Sequence, residues 1–253
     1  MSKTLLVVSI GPVQSFIAAG RKTEDLWSGS YMLSYFAEKA MQSLLEHAGT
    51  EIVYPAVTRE SLTKREDEGN ADIASLPNRF VALLAAEPEQ ARSIAQQIKA
   101  AVYRELEQLV WFAIQRVFPP DNVDLHPVFL QAQQKVADML EFFWAVEPLE
   151  NEDAFEVARK NLEKRLAAVK NNRPVPVHRQ TGLICELCGE RDALHDGSLA
   201  ETDTIGVLKK KMKAFWAQRH RDFQTYGEQD ERKGRINDGE FLCGICLGKR
   251  VAR

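Results

Sequence analysis

Two short cysteine pairs, Cys185-Glu-Leu-Cys188 and Cys243-Gly-Ile-Cys246, limit what the C-terminal part of this chain can fold into. A Cys-x2-Cys knuckle lets both thiolates face one ion, and two knuckles complete a tetrahedral set that suits zinc. All four cysteines of the chain are used, and none is left over. Gly189 follows the first pair and Leu247-Gly248 the second, which fits tight turns aiming backbone N–H groups at sulfur. The pairs stand roughly fifty residues apart, further than the roughly 15 to 20 of a common ribbon, so an insertion separates them. Four thiolates leave no open coordination position, and Cys185, Cys188, Cys243 and Cys246 are expected to hold a structural rather than a catalytic zinc.

The insertion contains Lys209-Lys-Lys-Met-Lys-Ala-Phe-Trp-Ala-Gln-Arg-His-Arg-Asp222, a basic stretch with interleaved aromatics. It reads either as a nucleic-acid or partner surface, or as a helix with Met212, Phe215 and Trp216 in a core and its lysines in water. The net charge of -3 argues against a general polyanion binder. His195-Asp196 resembles the dipeptide of metal-dependent phosphohydrolases, but the five histidines form no further ligand set. No phosphate-binding loop, nucleophile elbow or His-Glu-x-x-His helix is present.

The N-terminal part alternates strand and helix. Leu5 to Ile10 is a continuous apolar run ended by Gly11-Pro12, the pattern of a strand buried on both faces. No small-residue cleavage site follows, and no apolar run reaches the roughly 18 residues of a membrane span. A cytoplasmic protein is expected, in which cysteines serve as metal ligands before disulfides. Leu33, Phe36, Ala37, Ala40, Met41, Leu44 and Leu45 have helical spacing, with Gly49 as a C-terminal cap. Glu51 to Val57 reads as a strand, Thr58 to Ser75 as a solvated loop and Arg79 to Ala86 as a strand. Pro88 opens a long helix closed by Pro119-Pro120, a second helix runs from Pro127 to Met139, and Phe142 to Val146 is a fourth strand stopped by Pro148. This order predicts an α+β, ferredoxin-like split βαβ domain with extra helices over residues 1–150. Residues 151–180 read as a charged amphipathic helix and a linker, and 181–253 as a small four-cysteine zinc module.

Several strings in this order resemble the large subunit of the Cmr (type III-B) CRISPR–Cas complex. They are Ser9-Ile-Gly-Pro-Val-Gln-Ser-Phe-Ile17, Arg21 through Ser34, Ser75-Leu-Pro-Asn-Arg-Phe80, Cys185-x2-Cys-Gly-Glu-Arg191, and Leu242-Cys-x2-Cys246 through Lys249-Arg250. The resemblance spans nearly the whole chain. It implies one of two cyclase-like palm domains with an adjoining zinc module, in an RNA-guided antiviral complex with other subunits, guide RNA and target RNA as partners. The family's catalytic palm carries a Gly-Gly-Asp-Asp hairpin that binds metal and makes cyclic oligoadenylate from ATP. This chain is expected to begin at the first palm strand and to end after the second cysteine pair, without that palm.

An active palm of this type places carboxylates on its first strand and second hairpin, where they hold the metals that bridge triphosphate oxygens. Here Ser9 stands at the first-strand position, and Leu76-Pro-Asn-Arg-Phe80 replaces the acidic hairpin. Neither supplies a carboxylate, so the chain alone is expected to have no catalytic residues and to contact ATP only beside a second palm. Gly11 and Ser15 at the strand-to-helix turn, with Asn78 and Arg79 on the hairpin, are the candidate nucleotide contacts. The competing reading for these four is turn chemistry and packing. Arg21-Lys22 and Trp27 to Tyr31 are candidates for a palm–palm or subunit contact. Two other functions stay open at this point: an active nucleotide cyclase or polymerase, and a free-standing zinc-ribbon protein that binds RNA through Lys209 to Arg221.

Overall fold

The computed structural model describes the chain apart from residues 1, 68–74, 119–124, 137–138, 174–179, 181, 228–235, 237–238 and 252–253, and apart from the side chains of 64–67, 125–126, 134–135 and 218–227. The chain divides into two compact units, each discontinuous in sequence. Met1–Val13, Ser30–Glu105 and Leu140–Val175 form one, and Gln14–Gly29, Leu106–Met139 and Pro176–Arg253 form the other.

The first unit is built on a four-stranded antiparallel sheet. Its strands are β1 (Lys3–Gly11), β2 (Thr50–Tyr54), β3 (Arg79–Leu84) and β4 (Glu141–Leu149), in the order β2-β3-β1-β4. The apolar run of β1 explains its central place, because Leu5, Leu6, Val7, Val8 and Ile10 are all fully buried. Val7 pairs with Val81 on one side and Ala145 on the other. Leu5 and Val7 also pack with Ala145 and Leu149 against Ala158, Leu162 and Leu166 of the helix Phe155–Asn171. Those three helical positions lie four apart, so they form one stripe along the helix. Asn151 caps the short 3-10 turn before that helix, its side chain accepting from the Ala154 N–H at 2.9 Å.

Three expectations change here. Part of the stretch read as a loop is helical, Arg59–Asp67, so β2 and β3 pair across a long connection and Asn78 and Arg79 do not sit on a tight hairpin. β4 runs through Pro148 to Leu149, because an edge strand does not need the ladder N–H that proline lacks. Gly49 is not the helix cap. It has φ +72°, its carbonyl accepts from Ala85 N–H at 2.9 Å, and a Cβ there would lie 2.7 Å from the Ala85 Cβ.

The helices, numbered along the chain, are α1 (Gln14–Ala18), α2 (Thr23–Leu45), α3 (Arg59–Asp67), α4 (Pro88–Val117), α5 (Leu125–Val136), α6 (Phe155–Asn171), α7 (Ile205–Gly227) and α8 (Gly244–Val251). The second unit takes α1, the start of α2, the end of α4, and α5, α7 and α8. Its aromatic core joins α4 to α7. Phe118, just past the end of α4, stacks on Phe215 at 5.3 Å and meets Trp216 edge-on at 5.7 Å. The Trp216 indole donates to the Leu194 carbonyl at 3.0 Å, so its polar edge is satisfied while the ring is fully buried. Met212 is also fully buried, whereas Lys209, Lys210 and Lys213 are exposed. Up to Ala217 the basic stretch is therefore an amphipathic helix facing a core. The side chains of Arg219 and Arg221 lie outside the described residues.

Candidate metal centre

Each knuckle is positioned by a different element. Cys185 and Cys188 sit in a short hairpin in which Cys185 N–H donates to Arg191 C=O at 2.7 Å and Ala193 N–H to Leu183 C=O at 2.8 Å. Its turn closes through Gly189, whose N–H donates to Cys185 C=O at 2.9 Å with φ +66°, a conformation that favours glycine. Cys243 directly precedes α8 and Cys246 lies in its first turn, with the Cys246 N–H 3.5 Å from the Cys243 sulfur. Gly248 does not form a turn at sulfur. It lies inside α8, where a Cβ would be 2.7 Å from Leu109 Cδ2, and Gly244 is similarly tight against Ala132 and Val110.

The result is a compact donor set. The four Sγ atoms all lie within 4.8 Å of one another, and Cys188 Sγ is 3.9 Å from Cys243 Sγ. A tetrahedral ion with sulfur at about 2.3 Å requires S···S edges of about 3.8 Å, so the spacing fits a metal. It is well beyond the disulfide length of about 2.05 Å, and all four thiols are free. Cys185, Cys243 and Cys246 are buried and Cys188 is half-buried. Hydrogen bonds from Cys185, then Cys243 and Cys246, hold Cys188 well below the ordinary thiol range. Contacts with Cys185 and Cys188, together with burial, push Cys243 well up. The Cys246 thiol is pushed up by Cys185, Cys188, Cys243 and burial. A bound cation would hold all four as thiolates.

Arg191 stands beside the four thiols. Its Nε is buried with no hydrogen-bond partner. Burial works against its charge, but the fields of Cys243, Cys188 and Glu190 outweigh burial and raise its pKa. A permanent cation beside four thiolates suits a centre that carries net negative charge once loaded.

Sequence reasoning missed the charges behind the second knuckle. Lys249 and Arg250 are buried, although α8 is short and strongly basic at its end. Lys249 Nζ donates to the carbonyls of Phe16 at 2.7 Å and Ala19 at 2.6 Å, and stands 4.7 Å from the Phe16 ring centre. Burial pushes its pKa down, against the attraction of Cys246 and Asp25. Arg250 pairs with Asp25 and Glu240. The signal that could have found them is the recurrence of Arg21 through Ser34 and Lys249-Arg250 among the family-like strings, which places both ends of the contact in the same pattern.

Of the nucleotide candidates, Gly11, Asn78 and Arg79 belong to the first unit and Ser15 to the second. Gly11 ends β1 opposite Glu141, whose Oε2 would lie 3.2 Å from a Cβ at that position. Ser15 is exposed on α1, in the other unit. Asn78 Nδ2 donates to Ile10 C=O at 2.7 Å, and Ile10 N–H donates to Asn78 C=O at 2.8 Å, so this residue fastens β3 to β1. Arg79 pairs with Glu163 of α6. Asn78 and Arg79 line an open cleft of about 700 Å³ with Tyr54, Phe155, Arg159 and Glu163, and Gly11 is not among its walls. His195 and Asp196 form turn contacts: His195 Nδ1 accepts from Gly197 N–H at 3.0 Å, and Asp196 accepts from Ser198 N–H at 3.0 Å. Among the described residues, the four cysteines are the one cluster of metal-ligating side chains.

Comparison with known proteins agrees with this architecture. The sequence model of the family described as "CRISPR-associated protein Cmr2, N-terminal" matches residues 5–111. The "CRISPR system Cmr subunit Cmr2" of Pyrococcus furiosus is 26% identical over 271 aligned positions, covering 98% of this chain and 30% of that protein. A chain in a cryo-EM structure of the Type III-B Cmr-beta complex bound to cognate target RNA has the same fold, with a TM-score of 0.57 at 15% identity, over 98% of this chain and 32% of that one. The chain thus spans about a third of the length of both relatives. Residues 5–111 are similar to the N-terminal part of Cmr2 proteins, and nearly all of the chain aligns with a Cmr2 subunit.

Proposed function

We propose that this chain is a catalytically silent palm portion, with a structural zinc module, of the large subunit of an RNA-guided type III-B CRISPR effector complex serving antiviral defence. The alignment with a Cmr2 subunit over 98% of the chain carries the reading. Residues 1–150 supply the palm strands, 151–180 a helix and linker, and 181–253 the zinc ligands. The sheet order β2-β3-β1-β4, with every neighbouring pair antiparallel, supports a ferredoxin-like palm, because it follows the split βαβ arrangement.

Two features support catalytic silence. The first-strand position of an active palm is held by Ser9, and Lys170 Nζ donates to its Oγ at 2.8 Å. An ammonium there repels the divalent ions that phosphoryl transfer needs. Asn78 and Arg79, at the start of β3, are already committed to Ile10 and Glu163 and add no carboxylate. ATP is a ligand only where a second palm completes the pocket, and the cleft beside Asn78 and Arg79 is the face this chain contributes. The zinc, held by Cys185, Cys188, Cys243 and Cys246, cross-links the module.

Reconstitution tests the reading. Mixed with the remaining subunits, a chain supplying the second palm and guide RNA, this chain enters one complex, and on its own it turns over no ATP. A chain that stays outside the complex, or that consumes ATP alone, contradicts the proposal.

A further inference from the structure

Residues 14–29 comprise the short helix α1, the link 19–22 and the first turns of α2. α1 is five residues long and buries one side chain, Phe16, while Ser15, Arg21 and Glu24 are exposed. A helix this short does not persist in water without tertiary contacts. Both cysteine knuckles contribute contacts to this segment. Glu186, between the two ligands of the first knuckle, pairs with Arg21 at 2.9 Å. Lys249, three residues after the last ligand, donates to the Phe16 and Ala19 carbonyls and lies over the Phe16 ring. Arg250 pairs with Asp25, whose carboxylate also accepts from the N–H groups of Arg21 at 2.9 Å and Lys22 at 3.0 Å. Gly29 lets Lys249 through, since a Cβ there would lie 3.2 Å from its Cε and 3.3 Å from its Nζ. Gln14–Gly29 belongs to the same compact unit as the cysteines.

We propose that metal loading at the four cysteines holds residues 14–29 in place, with Glu186, Lys249 and Arg250 as the positioning residues that pass the state of the centre to that segment. The geometry makes this local. Each of the three lies within four residues of a ligand, on the hairpin or the short helix whose shape the ion fixes. Without an ion nothing ties the two knuckles to one point, and the ammonium and guanidinium lose their alignment with the carbonyls and the carboxylate. The inference rests on the zinc reading above and adds a consequence to it: the ordering of the strand-to-helix turn becomes metal-dependent.

Hydrogen exchange on the whole chain, read by mass spectrometry beside its zinc content, tests this. On chelation, amides of 14–29 exchange at least about tenfold faster while those of 106–117 in α4 stay protected, and added zinc restores them. Lys249→Met, which keeps volume and removes the donor, raises exchange across 16–25 with one zinc still bound. Unchanged protection of 14–29 in either arm, with one zinc present at the start, overturns the coupling and leaves the zinc reading standing. Equal loss of protection in 106–117 on chelation means the unit unfolds as a whole, and overturns it too. A chain purified without chelator that carries no metal removes the zinc reading and this proposal together.

Discussion

Arg250 and Asp25 stand 225 residues apart in sequence and meet in a two-pronged ion pair from which solvent is excluded, their side chains 1% and 0% exposed. Glu240 accepts the remaining guanidinium contacts at 3.1 and 3.2 Å. One cation between two carboxylates, with the Arg21 and Lys22 amides on Asp25, satisfies a group that would otherwise be costly to bury.

Removing the cation exposes that cost. Arg250→Met removes the guanidinium that the buried Asp25 and Glu240 share and destabilises the protein by about 3–5 kcal/mol. Urea unfolding measures the difference. The double variant Arg250→Met with Asp25→Leu recovers part of the loss, because it removes one of the stranded charges.

The same pair sets an acid limit. Burial alone would raise the Asp25 pKa, but hydrogen bonds from Arg250, Arg21 and Lys22 outweigh it and hold the group below its ordinary value of 3.8. A depressed folded pKa gives stability that is full above the unfolded value and is lost as pH falls through the folded one. Stability therefore declines with acid below about pH 4, and the decline is shallower in Asp25→Asn, which has no such proton to bind. Equal slopes for the two proteins contradict this assignment.

Cys188→Ser, at the half-buried ligand, lowers bound zinc from one per chain to well below half. Loss of the metal loosens the two knuckles, so the thermal transition shifts downward. Elemental analysis beside a melting curve reads both. Full zinc retention in this variant contradicts the four-thiolate site.

Gly244 tests the packing of α8. A side chain there meets Ala132 Cβ at 2.9 Å and Val110 Cγ1 at 3.0 Å, neither of which lies at the end of a flexible chain. Gly244→Val costs about 1–3 kcal/mol by overpacking and also weakens zinc binding, because the residue lies between two ligands. Metal affinity by competition with a chelator and stability by denaturant report the two effects separately.

Legibility in the sequence followed the range of the interactions. The ligands were readable because a two-residue spacing is itself the geometry of a knuckle, and β1 because a strand buried on both faces writes an uninterrupted apolar run. The helix Arg59–Asp67 was hidden, since its composition is almost entirely polar and carries no apolar period. The amphipathic stripe of α6 announced a buried face, while nothing in its period said that β1 and β4 would cover it. The Lys249 and Arg250 contacts left no local period to read: charged residues at the end of a helix usually sit in water, and their burial depends on residues more than two hundred positions away. In α7 the pattern left two options, and up to Ala217 the structure shows a stripe with Met212 and Trp216 buried and Lys209, Lys210 and Lys213 exposed.

The central claim, membership of an RNA-guided assembly, is tested most directly by purifying the tagged protein from its own cells and reading intact subunit masses together with any bound RNA. The account predicts several co-purifying subunits and short RNA of guide length, with the masses showing whether the second palm is attached or separate. Recovery of this chain alone, free of RNA, would contradict it.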